Sequence, residues 1–128
     1  MTKPKNITGI GGFFFRSKNP KELKGWYINT LGIDIQEMVW MQEAGATVFE
    51  PFPEDSDYFN AKKEWMINFR VTDLNKLITE LKEKGIAVEQ KDEWNTMPEV
   101  GMFARIHDPE GNPIELWEPA RAVPFDFS

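Results

Sequence analysis

The sequence has no cysteine and a single histidine, His107. The absence of cysteine excludes disulfides, thiolate metal sites and cysteine nucleophiles. One histidine is too few for a zinc site built on two or three histidines of one chain. A Ser-His-Asp triad would have to use His107 itself.

The chain also has no run of basic residues, and its net charge is −6. This charge argues against nucleic acid as a partner, because nucleic-acid binding needs a concentration of positive charge. The N-terminal stretch MTKPKNITGI contains no long apolar segment. We therefore expect neither a signal peptide nor a membrane span, no membrane partner, and a cytoplasmic location.

Aromatic residues are abundant, with ten Phe, five Trp and two Tyr. A single domain over residues 1–128 has a small core, so some of these rings are expected to line a cavity or an interface. Residues 51–63 form a polar, acidic linker between two patterned halves. Within this linker, we expect Tyr58 and Phe59 to fold over the mouth of the cavity.

Two helices are predicted from their end signals. Asn19 is placed to cap the first helix, and Gly32 ends it. Thr72 or Asp73 caps the second helix, which ends at Gly85. Both helices carry an apolar stripe at helical spacing, which predicts that each packs one face on a sheet.

The two halves of the chain have the same predicted order of elements, strand-helix-strand-strand-strand, at residues 7–51 and 65–119. Matched stretches support a repeat, because FRSKN in the first half corresponds to FRVTD in the second, and FEP corresponds to WEP. The predicted strands are residues 7–16, 33–37, 38–41, 46–50, 65–71, 86–90, 101–107 and 113–118. Two such units would pair into an incomplete α+β barrel with the helices outside and a cavity inside.

The stretch DPEGNPIELWEP at residues 108–119 predicts a tight turn followed by an alternating strand. Ile114 and Leu116 face one side of that strand, and Glu115 and Trp117 face the other. The same alternation applied to the other strands predicts which residues face the cavity. These are Gly12, Phe14, Thr47, Phe49, Met66, Asn68, Phe103, Arg105, His107, Glu115 and Trp117.

The paired units, the stretch WYINTLGI and the motif DPEGNPIELWEP resemble the vicinal oxygen chelate superfamily over about residues 7–119. That superfamily includes glyoxalase I, bleomycin-resistance proteins and extradiol dioxygenases. Its metal-dependent members take ligands from the first and last strands of each unit. The resemblance places the corresponding positions at Gly12, Thr47, Met66 and Glu115, of which only Glu115 is a good ligand for a divalent metal. We therefore expect no tightly bound catalytic metal and no other cofactor.

Two functions from different classes are compatible with these residues. In the first, a lyase-, isomerase- or dioxygenase-like enzyme uses Glu115 to move a proton of a small metabolite, while Arg105 or Asn68 stabilises an oxygen. In the second, the protein binds and sequesters a small antibiotic-like molecule without chemistry. In either case the expected ligand-binding residues are Asn68, Arg105, Trp117, Phe49, Met66, Phe103 and His107.

Purely structural roles remain open for two of these residues. Glu115 could simply be neutralised by Arg105 or Arg70, and His107 could hydrogen-bond the Asp108 turn or lie at the rim. The resemblance also implies a homodimer, since single-domain members of the superfamily are commonly homodimers, and Trp40, Trp94 and Phe125 are the aromatic candidates for its interface.

Overall fold

A computed structural model describes residues 2–120 of the chain, so Phe125 lies outside the described residues. Helix α1 spans Pro20–Leu31 and helix α2 spans Leu74–Glu83. Asn19 caps α1 by accepting a hydrogen bond from the backbone N–H of Glu22, and Asp73 caps α2 in the same way. No helix among residues 2–120 is long and apolar enough to cross a membrane.

Five strands form two separate sheets. Strands β1 (Ile35–Gln36) and β2 (Val39–Trp40) make a short antiparallel hairpin. Strands β3 (Ile67–Arg70), β4 (Gly101–His107) and β5 (Pro113–Pro119) make a sheet of order β3-β5-β4. In it, β3 is parallel to β5, and β4 is antiparallel to β5. A single bridge between Glu89 and Arg105 extends this sheet beyond β4, and a 3₁₀ helix (Asp92–Asn95) precedes β4.

The core lies between the helices and one face of the three-stranded sheet, as the alternation predicts. One cluster of buried side chains comprises Leu23, Tyr27, Leu74, Ile78, Leu81, Ala104, Ile106, Ile114 and Leu116. The α+β class is therefore confirmed. Ile67, Phe69 and Val71 also pack against this cluster. They alternate with Asn68, which was predicted to face away from the helices, so the predicted faces of this strand are also correct.

The structure corrects the prediction that the two units pair into an incomplete barrel. Residues 7–16 and 46–50 form no strand, residues 86–90 contribute only one bridge, and the two sheets do not close into a barrel within residues 2–120. A strand is stable only when its backbone groups are paired, and residues 7–16 and 46–50 pair with no strand among the described residues. Phe14 is 90% exposed and Phe49 is 84% exposed.

The turn before β5 ties the two halves of the chain together. The buried carboxylate of Asp108 accepts hydrogen bonds from the Tyr27 hydroxyl at 2.8 Å and the Asn112 side-chain amide at 2.7 Å, and also from two backbone N–H groups of its own turn. Glu110 accepts from the Ser17 hydroxyl at 2.7 Å, beside the start of α1. Because Ser17 and the backbone N–H of Lys18 donate to it, the pKa of Glu110 is lowered.

Candidate functional site

The face of the three-stranded sheet that points away from the helices carries polar and aromatic side chains. Backbone pairing places Glu115 on β5 between Asn68 on β3 and Arg105 on β4. The next pair on this face joins Phe103 to Trp117. We call these five residues the polar face. Side chains of directly opposed residues lie on the same side of a sheet, so register alone gathers them.

Glu115 is 8% exposed, and each of its carboxylate oxygens accepts a hydrogen bond. Asn68 donates to Oε1 at 2.7 Å, and the hydroxyl of Tyr58 donates to Oε2 at 2.5 Å. Neither arginine considered from the sequence binds this carboxylate, since Arg70 donates to the carbonyl of Glu43 instead. The carboxylate is therefore held by two donors that carry no charge.

Tyr58 comes from the linker at residues 51–63, which has no helix or strand. Burial, followed by its hydrogen bond to Glu115 and the nearby negative charge, raises the pKa of Tyr58 well above its usual range. The hydroxyl thus remains a proton donor to Glu115. The expectation that this part of the linker covers the site holds for Tyr58. Phe59 packs instead on Phe52, with ring centroids 5.8 Å apart.

Arg105 is 5% exposed and lies against two aromatic rings. Its guanidinium carbon is 5.1 Å from the ring centre of Tyr58 and 5.1 Å from that of Trp94. Its Nη2 donates to the backbone carbonyl of Tyr58 at 3.2 Å. The Nε–H of Arg105 is buried and has no hydrogen-bond partner in the described part of the chain. Within residues 2–120, this buried cation also forms no ion pair.

Trp117 and Phe103 form the apolar end of the polar face. Their rings are parallel to within 5°, with centroids 6.1 Å apart. The indole N–H of Trp117 donates to the carbonyl of Val100 at 2.9 Å. The backbone N–H of Phe103 donates to the side chain of Asn95 at 2.9 Å. These bonds fix the end of β4 and the 3₁₀ helix beside it.

The remaining residues expected at the site are not brought to Glu115. His107 and Phe49 are exposed, and Met66 is half-buried. No described hydrogen bond or ring contact connects any of these three to the polar face. The sequence reasoning also missed Trp94 as a site residue, which it had considered only for an interface. Trp94 lies in a single short 3₁₀ helix, and so short an element gives no periodic signal that could have assigned Trp94 to Arg105.

The four positions that the resemblance implies for a metal do not fit a divalent ion. Gly12, Thr47 and Met66 supply no carboxylate or imidazole, and both oxygens of Glu115 already accept hydrogen bonds. Among residues 2–120, no group of three or more histidine, cysteine, aspartate or glutamate residues could hold a metal ion. We derive no step through a metal.

Two clefts lie away from Glu115. The larger, of about 680 Å³, runs along α1 and is bordered by Lys18, Trp26 and Glu110. The smaller, of about 350 Å³, lies beside the 3₁₀ helix and the end of β5 and includes Asn95 and Glu118. Tyr58 covers Glu115, so reaching the Glu115 carboxylate requires this side chain to move.

Comparisons with known proteins give a structural relationship only. No family model and no curated protein matches the chain. The structure superposes on TnmS3, an antibiotic-binding protein from Streptomyces sp. CB03234, with a TM-score of 0.60, covering 91% of this chain and 99% of that one at 21% identity. The fold is therefore one that TnmS3 shares.

A second match is to a protein from Bacillus anthracis described as of the glyoxalase family. It is 28% identical over 50% of this chain and 49% of that one, with a TM-score of 0.39. This partial superposition adds nothing to the assignment of the fold.

Proposed function

We propose that the chain binds a small organic molecule on the polar face and sequesters it without chemistry. One observation carries this proposal. Arg105 and Glu115 are buried opposite each other on paired strands, yet they form no ion pair and each contacts Tyr58 instead. Burying two charged groups without pairing them is costly, and such arrangements are concentrated at functional sites.

The nature of the cover supports the same proposal. The helices occupy the other face of the sheet, and at Glu115 the polar face is covered by Tyr58 from an irregular linker. Displacing Tyr58 breaks its hydrogen bonds to Glu115 and from Arg105, but no strand pairing. A ligand with its own donor and acceptor groups could replace both contacts. TnmS3, the antibiotic-binding protein that shares this fold, is consistent with sequestration of a small organic compound.

A second candidate, a lyase- or isomerase-type reaction, is favoured by one contact. The Tyr58 hydroxyl and the Glu115 carboxylate form a hydrogen bond of 2.5 Å, which joins a proton donor to a proton acceptor. Against it, both oxygens of Glu115 are already engaged, so the carboxylate could accept a substrate proton only after Tyr58 leaves. Binding is ranked first because it requires only that Tyr58 move, whereas a reaction also requires Glu115 to accept a proton while its Oε1 remains hydrogen-bonded to Asn68.

The test is a screen of small organic compounds by thermal shift, followed by NMR of the tryptophan indole N–H groups. The chain is compared with Glu115→Gln and with Glu83→Gln, which makes the same charge change on an exposed position of α2. Compounds should stabilise the wild type and Glu83→Gln, and should bind Glu115→Gln at least about tenfold more weakly. Equal binding by Glu115→Gln, or no binding compound at all, would contradict the proposal. Turnover that disappears in Glu115→Gln would favour the enzyme instead.

The proposal includes a homodimer. Ile7, Phe14, Met41 and Phe49 are each more than four-fifths exposed, on segments of the first half that lack a strand partner. Clustered exposed apolar side chains mark interaction surfaces, and covering them with a second copy removes their contact with water. Sedimentation at micromolar concentration should give a dimer, and Phe14→Ser should weaken it. A monomer would reject this part of the proposal.

The proposal also includes a cytoplasmic location. Cell fractionation tests it.

A further inference from the structure

The Nε–H of Arg105 is a buried donor without an acceptor among the described residues. Buried polar groups of native proteins are almost always satisfied, so an exception of this kind indicates a missing partner. The group belongs to a side chain that is 5% exposed, so bulk solvent has little access to it. An acceptor brought by a ligand would complete the hydrogen bonding of the guanidinium.

The carboxylates nearest along the sheet do not play this role. Glu89 and Glu115 are the backbone partners of Arg105 on either side, and neither forms an ion pair with it. The oxygens of Glu115 are occupied by Tyr58 and Asn68. The chain thus keeps a cation in its interior and turns the adjacent carboxylate toward other donors.

A second cation lies on the same aromatic ring. The ammonium of Lys91 is 5.2 Å from the ring centre of Trp94, and the Arg105 guanidinium is 5.1 Å from it. Two positive charges beside one indole attract an anion, and the indole itself offers a flat apolar surface. The combination suits a ligand in which an acidic group is attached to an aromatic ring.

We infer that the ligand class is an aromatic carboxylic acid, bound by the Nε–H of Arg105 with its ring against Trp94, after Tyr58 has moved away. This inference rests on the proposed function and specifies its ligand. A planar carboxylate matches the fork of a guanidinium and forms charge-assisted hydrogen bonds with it. Displaced Tyr58 leaves one oxygen of Glu115 free for a hydroxyl or amine donor elsewhere on the ligand.

The test uses three matched probes, 1-naphthoate, 1-naphthamide and 1-naphthylmethylammonium. Binding is followed by NMR at the Arg105 Nε–H and the Trp94 indole. The acid should bind at least about tenfold more tightly than the amide, and the Arg105 Nε–H resonance should move to lower field as it gains a charged acceptor. Equal or tighter binding of the amide or the ammonium, or an unmoved Nε–H, would overturn the inference.

Variants separate this inference from the general proposal. Arg105→Lys keeps the charge but removes the Nε–H, and it should reduce the preference for the acid over the amide to the few-fold that charge alone supplies. Because Arg105 is buried, Lys91→Gln provides a second test at an exposed residue, with Lys76→Gln as its charge-matched control on α2. Lys91→Gln, but not Lys76→Gln, should weaken the binding of naphthoate by about two- to fivefold. The binding of naphthamide should be unchanged in Lys91→Gln. If the compound screen finds only neutral or cationic ligands on the polar face, the inference fails while the proposed function stands.

Discussion

The hydroxyl of Tyr27 donates a 2.8 Å hydrogen bond to the buried carboxylate of Asp108, 81 residues away along the chain. Tyr58 makes the corresponding contact with Glu115, 57 residues away. The sequence contains only these two tyrosines. Tyr27 lies in the first half and Tyr58 lies in the linker, and both donate to a carboxylate on or beside β5. These two contacts connect the first half and the linker to the turn and the strand that carry the site.

The ionisation of the tyrosines provides the first prediction. Burial, and then the adjacent carboxylate, raises the pKa of each tyrosine above its usual value of about 10. A raised folded-state pKa means that the stabilisation is complete below the unfolded pKa and is lost as the pH rises above about 10 toward the folded value. Tyrosinate absorbance should therefore appear only together with unfolding. A tyrosine that ionises near pH 10 while circular dichroism is unchanged would refute this.

Replacement of Tyr27 provides the second prediction. Tyr27→Phe keeps the ring in the core but removes the donor to Asp108, so the free energy of unfolding should fall by about 1.5–3 kcal/mol. Tyr58→Phe is the matched control. Tyr58 is only half-buried, so removal of its hydroxyl should lower the free energy of unfolding by about 1 kcal/mol. Urea denaturation measures both values. A larger loss for Tyr58→Phe than for Tyr27→Phe would be inconsistent with the structure.

Two glycines provide the third prediction. Gly101 begins β4 with φ at 126°, and an added Cβ would lie 2.1 Å from the backbone oxygen of Glu118. Gly101→Ala should lower the unfolding free energy by about 2 kcal/mol or more, because the backbone must shift. Gly25 lies inside α1, where the closest atom to an added Cβ is 3.9 Å away. Gly25→Ala should raise stability by about 0.5–1 kcal/mol. Thermal unfolding of the two variants should give shifts of opposite sign.

The parts of the fold that depend on local chemistry could be predicted from the sequence. The helix limits at Asn19, Gly32, Asp73 and Gly85 depend on caps and left-handed turns, which involve only a few neighbouring residues. The faces of β5 follow from strict alternation, which places Ile114 and Leu116 in the core and Glu115 opposite. Each of these features is encoded within one short stretch.

The strands of the first half could not be predicted in the same way. Residues 7–16 have the composition of a strand, but a strand forms only where another strand offers an edge for its hydrogen bonds. Composition does not say whether that edge exists. The contacts of Tyr58 with Glu115 and of Trp94 with Arg105 are also not encoded locally, since the first joins an irregular linker to a strand and the second joins a short 3₁₀ helix to a strand. No periodicity in the sequence links these pairs.

A crystal structure of the chain with a compound from the screen bound is the most direct test of the proposed site. The ligand should lie on the polar face within contact distance of Arg105, with Tyr58 displaced from Glu115. A ligand bound instead in the cleft of about 680 Å³ along α1, with the Tyr58 hydroxyl still bonded to Glu115, would contradict the assignment of the site.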